Sequence, residues 1–71
     1  MSNDFLEIFG STVRELRKAR GLSQEKLALE IGMDLTSVNE IERGKRNPTL
    51  MTIVKIAGAL GVRPADLLSG L

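Results

Sequence analysis

Residues Leu22 to Pro48 read LSQEKLALEIGMDLTSVNEIERGKRNP, and the placement of small, apolar and polar residues in this stretch decides the fold. With Gln24 as the first residue of a helix, Leu27, Ala28 and Ile31 share one helical face. Ser23 precedes them and can accept hydrogen bonds from the free N–H groups of the first turn, so it reads as an N-cap. Gly32 follows Ile31, where a left-handed glycine ends the helix sharply. Met33 is an apolar plug after the turn. Asp34 reads as the N-cap of a second helix with Val38 and Ile41 on its buried face, and Gly44 closes that helix. Ala28 has a separate meaning: where two short helices cross steeply, the close-contact position has no room for a large side chain. Two short helices joined by a glycine turn and followed by a basic loop are what a protein needs to lay one helix in the major groove of DNA while the other braces it.

The rest of the chain is bounded by its length and composition. Its 71 residues suit one domain, 1–71, around a helix-turn-helix core at 23–44. A hydrophobic content of 42% is enough for a single core. Cysteine and histidine are both absent, which excludes disulfides, cysteine- or histidine-ligated metals and histidine acid–base catalysis. No catalytic residue, metal site, cofactor or small-molecule ligand is evident, and the chain is expected not to be an enzyme. No apolar run approaches membrane-spanning length and the N-terminus lacks a basic-then-apolar leader, so a cytoplasmic protein without a membrane partner is expected. Net charge is only +1, which leaves the placement of charge to carry any argument for nucleic acid.

Periodicity predicts an all-α chain of five helices. The first runs from about Asp4 to Arg20, with Phe5, Phe9, Val13 and Leu16 as its buried stripe. Asp4 and Glu7 near its start, and Arg17, Lys18 and Arg20 near its end, suit the helix dipole. Gly10 inside it is a local cost of about 1 kcal/mol against alanine. Gly21 is its C-terminal stop and Leu22 the apolar clasp. Thr49 caps a fourth helix carrying Leu50, Ile53, Ile56, Ala57 and Leu60, which Gly61 ends. Pro64 suits the first turn of a short fifth helix, Ala65 to about Ser69.

The runs LRKARGLSQEKLA, EIERGKRNPTL and KIAGALGV resemble the helix-turn-helix family of phage Cro and repressor proteins, also called the xenobiotic-response-element family, over about Val13 to Leu68. The resemblance implies a compact, five-helix, lambda-repressor-like DNA-binding domain whose third helix is the reader. Small size and the exit Glu42-Arg43-Gly44-Lys45-Arg46-Asn47 also resemble the controller proteins of restriction–modification systems, which bind DNA as homodimers and regulate their own operon. The resemblance further implies an ion pair between Glu42, at the end of helix three, and Arg17 of helix one, fixing the reader in place.

With Val38 and Ile41 inward, Leu35, Thr36, Asn39 and Glu40 are the candidates for base edges. Leu35 or the Thr36 methyl suits a thymine methyl, Thr36 and Asn39 donate and accept, and Glu40 suits a cytosine amine. The ordinary alternative for these residues is a solvated helix surface. The reading helix carries Asp34, Glu40 and Glu42 against one cation, Arg43, so affinity must come from elsewhere. Lys45 and Arg46, with Asn47 and Arg43 alongside, are the expected phosphate contacts, and Ser23 and Gln24 offer donors at a helix N-terminus. Simple solubilising charge, and for Ser23 simple capping, are the plainer alternatives.

One small domain reads few base pairs, so a homodimer on a palindromic double-stranded operator is expected. Met51, Val54, Val62, Leu67, Leu68 and Leu71 are more apolar residues than a small core absorbs, and they are the candidates for its interface. The competing reading is a protein-interaction module, such as an antitoxin or a regulatory subunit, with DNA contact secondary. Because no tail extends beyond helix five, a complete minimal regulator is expected.

Overall fold

The three central helices begin in the same way. Ser23, Asp34 and Thr49 each sit in extended backbone and accept, through a side-chain oxygen, the N–H three residues on: Lys26 at 3.0 Å, Ser37 at 2.7 Å and Thr52 at 3.1 Å. Each bond satisfies a backbone donor that the helix itself cannot. In the computed structural model, which describes residues 4–71, the elements are α1 (Asp4–Ala19), α2 (Gln24–Ile31), α3 (Leu35–Glu42), α4 (Leu50–Leu60) and α5 (Pro64–Leu68). There is no strand among the described residues. Helix five starts at the proline itself, and the Asp66 carboxylate accepts from the Arg63 N–H at 2.8 Å across its first turn.

Gly32 takes a left-handed φ of 69°, and the following Met33 N–H reaches back to the Ala28 carbonyl at 2.9 Å. The turn this makes crosses α2 over α3 and puts their apolar faces together. The core is drawn from every helix: Phe9 and Val13; Leu27, Ala28 and Ile31; Val38 and Ile41; Ile56, Ala57 and Leu60; Leu67. Full burial of one such aliphatic side chain contributes about 1.5–3 kcal/mol. Anchors from all five helices in one cluster explain how so short a chain holds together.

The buried face of α1 differs from the stripe expected from periodicity. Phe5 is 67% exposed and Leu16 only half-buried, while Gly10 and Arg17 are buried. Phe5 sits in the first turn, ahead of the first core anchor, Phe9. Gly10 is not merely a tolerated weak point. A Cβ there would collide with the Ile41 carbonyl oxygen and lie 2.7 Å from that of Glu42, so the absence of a side chain is what lets α1 meet the end of α3. Gly44 does similar work: its φ is 72°, and a Cβ would lie 2.8 Å from Glu7 Cα, so the loop leaving α3 rests on the first turn of α1.

Arg20, just beyond α1, donates to the Leu60 carbonyl at 3.3 Å. Its charge therefore sits at the C-terminal end of α4 as well as that of α1, where a cation is favoured in both cases.

Candidate nucleic-acid interface

Helix α3 is held from beneath and open above. Val38 and Ile41 are buried, Leu35 and Thr36 are exposed, and Asn39 and Glu40 are half-exposed. Its N-cap, Asp34, accepts from the Ser37 backbone N–H. That bond, with a second from the Ser37 side chain and the nearby Arg46 charge, holds its carboxyl below the usual 3.8.

A buried polar network fixes the other end of α3. Arg17 Nε donates to Glu42 Oε2 at 2.6 Å and Nη2 to Oε1 at 3.0 Å, a two-pronged pair with side chains 9% and 1% exposed. Such forked geometry adds direction as well as strength. The remaining nitrogen, Nη1, donates to the Leu22 carbonyl at 2.7 Å. Gln24 Nε2 also donates to Glu42 Oε1, at 3.0 Å, and Gln24 Oε1 accepts from Asn39 Nδ2 at 3.5 Å. No buried side-chain nitrogen or oxygen among the described residues lacks a partner, so the network is complete. It ties the end of α1, the start of α2 and the middle and end of α3 into one unit.

Beside this network lies an open cleft of about 670 Å³ lined by Arg14, Arg17, Ser23, Gln24, Glu25, Leu35, Asn39, Glu42 and Arg43. Five of the residues expected to touch bases or phosphates meet there: Ser23, Gln24, Leu35, Asn39 and Arg43. Because Arg17 and Glu42 neutralise each other, Arg14 and Arg43 outweigh Glu25 in the charge the cleft presents. Arg14 was not among the expected contacts. Its signal was its place one turn before Arg17, on the side of α1 that faces the α2–α3 pair. The amide of Gln24, an expected phosphate contact, donates to Glu42 and accepts from Asn39. With Ser23 Oγ taking the Lys26 N–H, the backbone N–H groups of Gln24 and Glu25 are the ones left without an intrahelical acceptor.

A helix-turn-helix family model matches residues 13–67, which spans the whole α2–α3 unit and most of its supports. The chain belongs to the helix-turn-helix family. It is 48% identical over 69 residues to control protein C.BamHI of Bacillus amyloliquefaciens, a match covering 96% of this chain and 85% of that protein. It is 41% identical over 68 residues to control protein C.MunI of a Mycoplasma species, covering 94% and 92% of the two chains. Among solved structures, the restriction-modification controller protein C.AhdI from Aeromonas hydrophila superposes with a TM-score of 0.89 at 48% identity, over 92% of this chain and 98% of that one. The five-helix, all-α architecture is the one shared with that controller protein.

Other expected contacts of the helix-turn-helix lie outside the cleft. Thr36 is exposed on α3, and Lys45, Arg46 and Asn47 are exposed in the loop that follows. Arg46 Nη1 donates to Ser37 Oγ at 2.7 Å and to Glu40 Oε1 at 3.2 Å, so an expected phosphate contact and an expected base contact are bonded to each other. The pair is about half-exposed, and pairs of that kind contribute little to stability.

Of the residues nominated for a subunit interface, Met51, Val54, Leu68 and Leu71 are exposed. Leu67 is not available: it is 0% exposed, the one full anchor of α5 in the core. Val62 is half-buried and packs on the same core. Consecutive residues of a helix lie about 100° apart around its axis, so Leu67 and Leu68 divide between core and solvent. Leu50, which periodicity places on the apolar stripe of α4, is 74% exposed at the start of that helix beside Met51.

Proposed function

We propose that this protein is a sequence-specific DNA-binding transcriptional regulator, a single-domain homodimer that places α3 of each subunit in the major groove of a palindromic operator. It acts as a binding protein, not an enzyme. The observation that carries this reading is a reading helix whose outer face is open while its inner face and C-terminal end are locked by Val38, Ile41 and the Arg17–Glu42 pair. Likeness to control proteins from restriction-modification systems supports a narrower role, control of a restriction–modification operon that includes its own gene.

In this reading Leu35, Thr36, Asn39 and Glu40 face the bases. Ser23, the head of α2, Arg43, Lys45, Arg46 and Asn47 bind phosphates, joined by Arg14. Exposed Leu50, Met51, Val54, Leu68 and Leu71 supply the subunit contact. Affinity comes from the cations flanking α3, and selectivity from Leu35, Thr36, Asn39 and Glu40 on its outer face.

The test is selection from a random duplex pool with the full chain at near-physiological salt. The expected product is a palindrome with half-sites about one helical turn apart. Recovery of nothing above background sinks the reading and favours a protein partner for the same face.

A further inference from the structure

Four side chains form a series of hydrogen bonds whose direction is set by charge at one end. Glu42, paired with Arg17, is an acceptor only. Gln24 must therefore turn its Nε2 toward it, which it does at 3.0 Å. Gln24 Oε1 then faces the opposite way, and Asn39 turns Nδ2 toward it at 3.5 Å. With Nδ2 directed inward, Asn39 keeps Oδ1 on the other side of its amide. Oδ1 meets no donor among the described residues, and since none of their buried side-chain polar atoms is unpartnered, it is open to solvent. Asn39 lies on the wall of the cleft, between Leu35 and Arg43.

We propose that Asn39 is a specificity-determining residue that presents an acceptor to the major groove, and that Gln24 is the positioning residue that fixes this polarity. The inference rests on the DNA-binding reading of α3. A free asparagine turns its amide over and serves a donor or an acceptor equally. Here the turned amide would set Oδ1 against Gln24 Oε1, two acceptors face to face. Gln24 has no compensating turn, because its own oxygen would then face the Glu42 carboxylate. An outward acceptor selects a base with an exocyclic amine, adenine N6 or cytosine N4, over guanine O6 or thymine O4. The buried ion pair that holds α3 in place therefore also dictates, two hydrogen bonds away, which kind of base edge one residue of α3 accepts.

The test uses the full chain and its selected operator, with single bases replaced. Purine for adenine and pyrimidin-2-one for cytosine remove the amine, while 7-deaza bases remove N7. Binding is measured for wild type, Asn39→Ala and Gln24→Leu. At one base of each half-site, loss of the amine is expected to weaken wild type about tenfold and Asn39→Ala hardly at all. Nδ2 keeps a second hydrogen beyond the one given to Gln24, so an adenine in that place also couples through N7, whereas a cytosine couples through its amine alone. Gln24→Leu brings the amine dependence toward parity at that base but leaves discrimination at other bases intact, whereas a merely structural role would weaken every site alike. Asn39→Ala, at a helix-surface position, carries the test even where Gln24→Leu folds poorly. Coupling of Asn39 to a keto group, or to no base, overturns the inference while operator binding stands. Failure to select any duplex overturns the DNA-binding reading and this inference with it.

Discussion

Gly10 lies directly against the Ile41 carbonyl, so residues 31 positions apart in the chain bring α1 and the end of α3 together backbone to backbone. On helix propensity alone Gly10→Ala should stabilise α1 by about 1 kcal/mol. The contact reverses the sign: the added methyl has only backbone to displace, and overpacking of that kind costs about 1–3 kcal/mol. Urea denaturation of the variant is expected to show a net loss of stability. A gain would mean that α1 and α3 do not approach this closely.

The Arg17–Glu42 pair predicts an asymmetry between single and double variants. Glu42→Ala strands a buried guanidinium and also removes the acceptor of Gln24, at about 3–5 kcal/mol. Replacing both partners with apolar residues, Arg17→Met with Glu42→Leu, is expected to recover much of that loss. Thermal melts of the three proteins check it, and additive losses in the double variant would contradict the burial of the pair.

The Asp34 cap predicts an acid-sensitive share of stability. Its carboxyl is held below 3.8 by bonds from Ser37 and the charge of Arg46, so the folded state favours the carboxylate. That stabilisation is fully present above the unfolded value and is lost as pH falls through the lower folded one. The stability gap between wild type and Asp34→Ala should stay flat near neutrality and narrow below about pH 3.8. A gap that widens on acidification would reverse the assigned shift.

In the proposed complex, Lys45→Ala with Arg46→Ala lowers affinity for all duplexes and flattens the salt dependence by about one to two released counterions. Glu40→Ala, which frees Arg46 and removes an anion from the reading face, is expected to raise nonspecific affinity. Titrations at several salt concentrations separate the two effects. Identical slopes in all three proteins would reduce Lys45 and Arg46 to surface charge.

Thr36→Arg is expected to abolish or change the choice of operator while leaving the fold intact, since Thr36 is exposed and belongs to no buried contact. Selection repeated with the variant, alongside a melting curve, is the check. The same operator recovered with unchanged affinity would remove Thr36 from the groove.

Features written into neighbouring residues were legible in the sequence. Ser23, Asp34 and Thr49 cap the helices they precede, and Gly32 turns the chain, because each acts on backbone groups within a few positions. Of the features that depend on distant contacts, the Arg17–Glu42 pair was legible through the family resemblance and the others were not. Gly10 read as a weakness because its partner lies 31 positions on; Phe5 read as core because periodicity cannot tell where the opposing helices stop. The same limit separated Leu67 from Leu68 and hid Arg14. Glu40 and Arg46 were each assigned a role toward DNA, yet their bond depends on the path of the loop after Gly44, which composition alone does not describe.

Arg20 reaches from the end of α1 to the Leu60 carbonyl, while Arg17, one turn earlier, grips the end of α3. One stiff rod is thereby bolted both to the helix proposed to read DNA and to the helix whose outer face is proposed to join the subunits. In such a dimer each reader is fixed like one jaw of a calliper to the face that joins the subunits, and the subunit contact is the one joint between the jaws. An operator whose half-sites are spaced a base pair too far or too near cannot be met by flexing within a subunit. Accommodation is left to the subunit contact and to the duplex, and where the duplex twists or bends, sequences between the half-sites influence binding by their stiffness without being touched.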